Sequence, residues 1–481
     1  MAVRLAVCVV GSVLVGVVGG CASPFDPTHG LSRTHARSLP DNADPVQRSA
    51  FRANTARDEA PPIELNPDAT PDDYVRYALY HSPAVEAAYQ RWIAASERLP
   101  QAGTLPDPRL NFGFFLDEVE TRTGAQQARV GVSQAFPWPG ILDDREDAAA
   151  LTARAAWRVF ESARLAVTER VVSSLHEIAY LDAATRITRE NLELLGSFEE
   201  VVRARYRVGS GSHPELVRVQ VELGQIEDRL AQLEALRPAY VAELNAALNR
   251  RSDELVPALG DLPGRVAATD GADLAELARQ TNPALLAFDE RIEAERVLGE
   301  IARKEGMPDF VVGLDYIITN EAINSSMPES GDDPILLSFG ITLPLSREKY
   351  DAGVRESMAR RLAVTHERAE EANRISAAIQ RAWFEHTDAD RRIRLYTNTL
   401  IPKAKESLRA SLAGFRAGDT SFLDLLDTER TLLEFTIAAE RARADRGQAL
   451  ARLNRLVGQS VPTSPARDDE RNRQTETEEM P

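Results

Sequence analysis

The sequence predicts an α+β protein that is mostly helical and is built from two copies of one structural plan. Three observations predict this fold class: an internal duplication after residue 70, two helical runs of unusual length, and four short segments in which apolar and polar residues alternate. In this prediction the long helices pair antiparallel, in the manner of a coiled coil, and the alternating segments are transmembrane β-strands.

Composition and charge limit the classes of protein to which the chain could belong. Its 481 residues are 43% hydrophobic and 27% charged, which is enough apolar material for a folded core. The net charge of −17 argues against a nucleic-acid partner, because neutralising phosphates requires clustered Lys and Arg. The two cysteines, Cys8 and Cys21, exclude a disulfide framework and a cysteine-based metal site. No metal-binding histidine pair, phosphate-binding loop or nucleophile motif occurs, so we expect no catalytic residue, metal, cofactor or enzymatic activity.

Residues 1–20 predict a signal peptide. One Arg precedes an apolar stretch that is short for a membrane span, and small residues lead to Cys21. The run Val18-Gly19-Gly20-Cys21 resembles a bacterial lipobox, in which the Cys becomes the lipidated first residue. Ala22 stands where an Asp would favour inner-membrane retention, so this resemblance implies the outer membrane. The alternative is an ordinary signal peptide that contains a Cys.

The chain after residue 70 repeats itself. Five residues recur 200 positions later, with Ala78, Pro83, Ala84, Ala87 and Arg91 matching Ala278, Pro283, Ala284, Ala287 and Arg291. At an offset of 209 three more residues recur and one aromatic residue meets another, with Arg207, Gly209, Ser212 and Tyr206 aligned with Arg416, Gly418, Ser421 and Phe415. The larger offset predicts an insertion in the second copy, which we place in the polar stretch 319–334. The period is far longer than that of a solenoid, so the copies are two halves of one fold.

Each half contains a helical segment, a pair of strands, a very long helical run and a returning helix. The predicted elements of the first half are 72–99, 109–117, 128–136, 141–207 and 214–249. Those of the second half are 272–304, 309–318, 335–343, 346–417 and 421–457. The predicted domains are a signal peptide (1–20), a lipid-anchored tether (21–65), two repeats (66–261 and 262–458) and a disordered tail (459–481).

The long helical runs indicate an elongated molecule. Residues 141–207 contain no Pro, and Phe160, Val167 and Val171 belong to an apolar stripe at spacings of three and four. Such a helix would measure about 100 Å, which is more than a globular domain needs. In the second run, Pro402 predicts an interruption or a kink.

The predicted strands alternate between large apolar residues and small or polar ones. On the first strand Leu110, Phe112 and Phe114 alternate with Asn111 and Gly113. Strands of about nine residues suit a membrane barrel, although a half-buried soluble sheet has the same period. The small and polar partners, together with the signal and the anchor, favour a barrel with a wet interior. Four strands cannot close in lipid, so copies must share the barrel: two would give eight strands and three would give twelve.

These features together resemble the outer membrane factor family of TolC-like efflux proteins, over residues 72–458. The resemblance rests on the duplicated plan and on three motifs: Asn282-Pro283-Ala284, Gln134-Ala135-Phe136-Pro137-Trp138, and Phe415-Arg416-Ala417-Gly418 followed by Leu423-Asp424-Leu425-Leu426-Asp427. It implies a homotrimer with a twelve-stranded barrel in the outer membrane and a long helical tunnel in the periplasm. A lipid anchor, with palmitate on Cys21, suits the lipoprotein-type members.

The resemblance also implies a function. The chain would be the outer-membrane channel of a tripartite efflux system and would passively conduct substrates from a periplasmic adaptor (membrane fusion) protein and an inner-membrane pump to the exterior. The sequence leaves the exported substrate open among drugs, metals and other compounds. The main alternative is a periplasmic coiled-coil lipoprotein that binds a partner without forming a pore. An enzyme acting on the cell wall is disfavoured, because no acid–base set other than Asp424 and Asp427 is apparent.

Two functional regions are implied at the periplasmic end. The adaptor would dock on the turns between long and returning helices, at Arg207, Gly209, Ser212, Arg416, Gly418 and Ser421. In purely structural terms the glycines allow the chain to reverse and the serines cap helices. Asp424 and Asp427 share a helix face, and three copies would form a ring of carboxylates that constricts the mouth; the alternative is a solvated first turn. Family members latch the closed state through an aromatic hydroxyl and an Arg, where this chain has Phe415 and Thr420.

Overall fold

Two long helical hairpins and one four-stranded sheet dominate the structure. The computed structural model describes residues 65–66, 68–260, 262–323 and 328–465. The predicted signal peptide, Cys21 and the predicted tether up to residue 64 lie outside these residues. Within the described ranges, no helix has the length and apolar character needed to cross a membrane.

The first half follows the predicted plan. Its elements are α1 (Pro71–His81), α2 (Pro83–Ser96), α3 (Leu99–Ala102), β1 (Arg109–Thr121), β2 (Gly124–Phe136), α4 (Ile141–Arg207) and α5 (His213–Leu248). α4 is unbroken over 67 residues, as predicted, and so measures about 100 Å. A capping box begins α1, where the Thr70 side chain accepts from the Asp73 backbone and the Asp73 side chain accepts from the Thr70 backbone.

The second half repeats the order. Its elements are β3 (Arg265–Ala267), α6 (Gly271–Thr281), α7 (Pro283–Lys304), β4 (Asp309–Thr319), β5 (Ile335–Thr342), α8 (Arg347–Leu395), α9 (Ile401–Ala417), α10 (Phe422–Val457) and β6 (Thr463–Pro465). Asn282 is the N-cap of α7, and its side chain accepts hydrogen bonds from the backbone N–H groups of Ala284 and Leu285. The mostly helical α+β fold with a duplicated plan is therefore confirmed.

The predicted interruption at Pro402 is present. A five-residue π-helical turn, Tyr396–Leu400, separates α8 from α9, and Pro402 lies in the first turn of α9. Proline lacks the N–H that an uninterrupted helix requires, and the wider π turn accommodates the mismatch. The second run, with helices of 49 and 17 residues joined by this turn of five, is longer than the 67-residue α4. The extra residues of the second half, which we expected at 319–334, are therefore divided between the loop that follows β4 and the second helical run.

All four long strands form one antiparallel sheet in the order β1-β2-β4-β5. The first hairpin extends beyond the predicted ends at 117 and 128, because a register shift between Phe114 and Val119 interrupts the alternation. Thr121 closes the turn by donating from Oγ1 to the Gly124 carbonyl at 2.7 Å, and Gly124 has a φ of +136°.

The tail predicted to be disordered from residue 459 is partly ordered, because Thr463–Pro465 form the strand β6. β6 pairs antiparallel with β3, so that Arg265, Val266 and Ala267 lie opposite Pro465, Ser464 and Thr463. Polar composition predicted a tail here, but backbone pairing with a distant strand is not visible in local composition. Residues 466–481 lie outside the described residues.

The long helices are joined by apolar seams. Near the turns, α4, α5 and α10 bury Phe198, Val219 and Leu425 in one cluster. Near the sheet, Ile141 and Leu151 of α4 pack against Val297 and Ile301 of α7. α4 therefore connects the sheet at one of its ends with the turns at the other.

Candidate functional site

The two helical turns lie together at the end of α4 that is distant from the sheet. Phe415 and Phe422, which flank the second turn, pack in the same cluster as Val202 of α4. Arg205, just before the first turn, donates from Nη1 to the Phe415 carbonyl at 3.2 Å, and its guanidinium lies 4.6 Å from the centre of the Phe415 ring. Both candidate docking turns are thus brought to one surface.

Backbone geometry explains the glycines of these turns. Gly209 has a φ of +76° and Gly418 a φ of +90°, in the left-handed region that residues with a Cβ rarely adopt. No atom lies within 4 Å of a Cβ placed at either glycine, so the constraint is backbone conformation and not space. Both glycines are exposed, which leaves the turns free to contact another molecule.

The helices that return from the turns begin with matching capping boxes. The Ser212 backbone N–H donates to Glu215 Oε2 at 3.0 Å. In the second turn, Ser421 donates from Oγ to Asp424 Oδ2 at 2.7 Å, and the Asp424 backbone N–H donates to Ser421 Oγ at 3.2 Å. Ser212, Ser421 and Asp424 therefore have a structural role at a helix start, in addition to any contact with a partner.

The remaining predicted site residues are exposed on the same surface. Arg207 and Arg416 each stand two residues before a turn glycine, and Asp427 lies one helical turn beyond Asp424. Asp424 is engaged in its cap, whereas the side chain of Asp427 is exposed to solvent. The two acids share one face of α10, as their spacing predicts.

The two positions at which the resemblance implies a latch, Phe415 and Thr420, pack within the chain. Phe415 is buried beneath Arg205 and lies 5.5 Å from the Phe422 ring. Thr420 packs on Gly414, where an added Cβ would lie 2.2 Å from Thr420 Oγ1. The second turn is thus held by an aromatic pair, a cation–π contact and a close glycine contact.

A buried polar layer lies in the apolar seam near the turns and was not predicted. Asn191 of α4 donates from Nδ2 to Glu429 Oε1 of α10. Beside them, Arg430 of α10 donates from Nε to Glu222 Oε1 of α5 at 3.3 Å. Burial raises the pKa of Glu429 to about 7. Its spacing from Phe422, Leu425 and Leu433 places position 429 in the core-facing stripe, and this was the signal in the sequence.

A second buried cluster clamps β3 onto the helices. The Ala267 backbone N–H donates to His386 Nε2 at 3.0 Å, and His386 Nδ1 donates to the Arg446 carbonyl at 3.1 Å. Burial lowers the pKa of His386, which suits a neutral imidazole that accepts at Nε2. Arg446 in turn donates from Nη1 to Asp390 at 3.0 Å. The cluster is fully engaged in holding α8, α10 and β3 together.

A cavity of about 1040 Å³ opens beside this cluster, between α4, α5 and α10. Charged residues on its wall pair with each other, as Arg237 does with Asp182 and Arg189 with Glu234, both at 2.6 Å. Among the described residues, no group of three or more His, Cys, Asp or Glu side chains is placed to hold a metal ion. The wall therefore presents paired charges and not a catalytic set.

The sheet has one apolar face and one small, polar face. Large apolar side chains cover the first, and Phe114, Leu116 and Phe339 are 76%, 97% and 75% exposed. On the opposite face Gly131 lies across from Asp315, and Arg129 Nη2 donates to Asp315 Oδ2 at 2.6 Å. An apolar band this exposed is typical of a surface that faces lipid.

Known proteins share this sequence pattern and this fold. Residues 274–459 match the model of the outer membrane efflux protein family. The cobalt-zinc-cadmium resistance protein CzcC of Cupriavidus metallidurans is 21% identical over 384 residues, covering 78% of this chain and 86% of CzcC.

Solved structures agree over most of the chain. VceC, an outer membrane protein of Vibrio cholerae, matches with a TM-score of 0.66 and 17% identity, covering 82% of this chain and 97% of VceC. The open state of the MtrE outer membrane channel of Neisseria gonorrhoeae matches with a TM-score of 0.65 and 18% identity, covering 81% of this chain and 89% of MtrE. The resemblance drawn from the sequence is thus confirmed: residues 274–459 are similar to the outer membrane efflux protein family, and the chain has the TolC-like fold of these structures.

Proposed function

We propose that this chain is the outer-membrane channel of a tripartite efflux system, through which substrates pass passively to the exterior. The observation that carries the proposal is the four-stranded sheet, whose apolar face is exposed and whose outer strands β1 and β5 have no further partner within the described residues. A sheet edge left unpaired in lipid costs several kcal/mol for each backbone group. The sheet is therefore one part of a barrel completed by other copies of the chain.

Three copies are the assembly that the fold favours. Each copy contributes four strands, so a homotrimer closes a barrel of about twelve, within the range of bacterial barrels. Gly113, Gly131, Gly313 and Ser338 lie on the face opposite the apolar band, together with the Arg129–Asp315 pair. Small side chains on that face leave the interior of such a barrel open to water.

The helices extend the path into the periplasm in this proposal. α4 leads from the sheet to the two turns over 67 residues. Near the turns, residues of α5, α9 and α10 share one buried cluster with residues of α4. The exposed turns, with Arg207, Gly209 and Ser212 in one and Arg416, Gly418 and Ser421 in the other, form the surface to which helical hairpins of a periplasmic adaptor bind. The adaptor connects the channel to an inner-membrane pump that supplies the energy.

Asp424 and Asp427 form the constriction at the periplasmic mouth in this proposal. Their exposure on one face of α10 supports a position along the trimer axis, where three copies bring six carboxylates together. Like charges crowded in a narrow tunnel attract cations and repel anions. The capping box of Asp424 fixes its carboxylate at the first turn of α10, which gives the ring a rigid base.

Lipidated Cys21 anchors the mature chain to the outer membrane, in addition to the barrel. The proposed cargo follows from the similarity to CzcC, whose name refers to cobalt, zinc and cadmium resistance. These three cations are the first cargo to test. Their export is measured from cells that also express a matching pump and adaptor, with export of an organic dye as the comparison.

The alternative, a periplasmic coiled-coil lipoprotein without a pore, predicts a different response to two neighbouring substitutions. Phe112 is 50% exposed on the apolar face, whereas Asn111 lies on the opposite face and donates to Ser133 Oγ at 3.3 Å. Phe112→Lys should cost about 2–4 kcal/mol per copy at the middle of a bilayer and prevent insertion, while the matched Asn111→Lys should insert. Insertion is measured by fractionation and by heat-modifiable migration on a gel. Equal behaviour of the two variants, with neither showing heat-modifiable trimers, would favour the coiled-coil lipoprotein.

A further inference from the structure

The polar layer near the turns interrupts an otherwise apolar seam. Ile187, Leu195 and Leu433 belong to the buried cluster around it. Glu429 is 1% exposed and Asn191 is 9% exposed, so water does not solvate either side chain. A carboxyl group at such a position is expensive to bury unless it is neutral or fully paired.

The hydrogen bonds of the layer favour a protonated Glu429. Its carboxyl group accepts one hydrogen bond, from Asn191 Nδ2. The other polar atom of that amide, Asn191 Oδ1, is buried and has no partner among the described residues. A neutral carboxyl group carries the O–H that this oxygen can accept, whereas a carboxylate carries none. The protonated form of Glu429 therefore offers a hydrogen-bonding partner to both polar atoms of the Asn191 amide. The ionised form leaves Asn191 Oδ1 without a donor, next to a negative charge.

Polar and charged groups on the neighbouring helices shift the pKa of Glu429 in both directions. Burial raises its pKa most, the Asn191 amide of α4 lowers it, Glu222 of α5 raises it, and Arg430 of α10 lowers it. Arg430 is already bound to Glu222, so it is not free to neutralise a second carboxylate. From α9, the Ser411 hydroxyl lies 3.3 Å from the hydroxyl of Thr428, which adjoins Glu429 in the chain. Ionised Glu429 would thus face Glu222 with no cation of its own.

We propose that the Asn191–Glu429 hydrogen bond is a lock that holds the turn end of α10 against α4, and that loss of the Glu429 proton releases it and opens the periplasmic mouth. The proposal rests on the proposed channel function. Glu429 is a positioning residue, because it lies outside the path and acts on the mouth through α10. Asp424 and Asp427 precede it by five and two residues on the same helix, so a shift of α10 moves both.

The direction with pH follows from the two states. A protonated Glu429 favours the closed seam, and the ionised form favours separation of α10 from α4 and Glu222. Conductance should therefore rise as the pH increases through about 7, with the open-to-closed ratio changing by up to about tenfold per pH unit in each copy. Carboxyl groups in model peptides titrate near pH 4, well below this range.

The test records currents from the full-length wild-type trimer in planar bilayers between pH 5.5 and 8.5. Glu429→Gln keeps a hydrogen-bonding amide in place of the neutral acid, so it should remain at the low conductance of acidic pH throughout. Glu222→Gln removes the neighbouring negative charge, so its transition should move to lower pH. Glu434→Gln alters an exposed acid of the same helix and should leave the wild-type midpoint unchanged.

Each outcome bears on one claim. A wild-type transition near neutral pH that is absent in Glu429→Gln supports the lock. An unchanged transition in Glu429→Gln, or a wild-type channel whose conductance does not vary over this range, overturns it while leaving the channel intact. If Glu429→Gln does not assemble, the direction of the midpoint shift in Glu222→Gln decides the question, since a midpoint that is unmoved or raised overturns the lock. The absence of any channel from assembled wild-type trimers would instead contradict the proposed function.

Discussion

Gly447 allows α10 to approach α4 closely, and Gly447→Ala tests the packing of these two helices. A Cβ at this position would lie 2.2 Å from both Cε1 and Nε2 of the His176 ring. The ring is partly buried, and desolvation followed by the nearby Arg446 lowers its pKa to about 4. Because the ring also lines the cavity between α4, α5 and α10, a methyl group at position 447 requires the ring to leave its rotamer or the helices to separate.

The expected magnitude combines two opposing effects. Gly→Ala at an unhindered helical position stabilises by about 0.5–1 kcal/mol, whereas overpacking a filled core costs about 1–3 kcal/mol. Gly447→Ala should therefore be destabilising by roughly 1–2 kcal/mol per chain. Gly224→Ala in α5 is the matched control, since no atom lies within 4 Å of its added Cβ, and it should be stabilising.

Thermal unfolding of purified trimers, followed by circular dichroism, is the assay. With an unfolding entropy of roughly 2.1 cal/mol/K per residue, each kcal/mol per chain corresponds to about 1 °C in a body of this size. The Tm should thus fall in Gly447→Ala and rise slightly in Gly224→Ala. The double variant with His176→Ala should recover part of the loss, because the removed ring leaves space for the new methyl group. A Gly447→Ala protein as stable as the wild type, without any coupling to His176, would refute the close packing.

Three further predictions concern the anchor, the turns and the mouth, and a fourth concerns acid stability. Cys21→Ser should abolish lipid labelling but leave heat-modifiable trimers, because the barrel supplies its own anchor; purely soluble monomers would contradict this. Gly418→Pro should abolish export and adaptor capture while trimers persist, because proline cannot adopt a φ of +90°; loss of trimers would make the glycine purely structural. Replacing Asp424 and Asp427 with Ala should raise conductance and reduce cation preference, less so at 1 M salt, where the Debye length is about 3 Å; unchanged ion selectivity would place the constriction elsewhere. The folded pKa of His176, about 4, is below its unfolded value of 6.5, so its stabilising contribution is present above pH 6.5 and is lost as the pH falls toward 4; melting points of wild type and His176→Gln that fall equally over this range would contradict that assignment.

Periodicity predicted most of the architecture because it reports directly which face of an element is buried. The apolar stripe from residue 141 to 207 became the 67-residue α4, and the alternation around Phe112 became β1. Pro402 predicted the interruption of the second run, since a missing N–H is a local property of the residue. The type of interruption, a π turn, depends on how the helices on either side are packed and was not predictable.

Features that depend on distant pairing were not predicted. β3 and β6 are three-residue strands that exist because Arg265–Ala267 and Thr463–Pro465 meet in space. The polar layer at Glu429 was not predicted, because the sequence does not show that Asn191 lies opposite it. The duplication aligned the residues of the two turns, and the structure adds that Arg205 and Phe415 join these turns.

Single-channel recording from purified, full-length trimers tests whether this chain forms a channel. We expect discrete current steps of uniform size from the wild type, the same steps from Asn111→Lys, and none from Phe112→Lys, because only the last substitution charges the exposed apolar face. Wild-type trimers that are folded and stable but produce no current steps in planar bilayers would contradict the claim that this chain forms a channel.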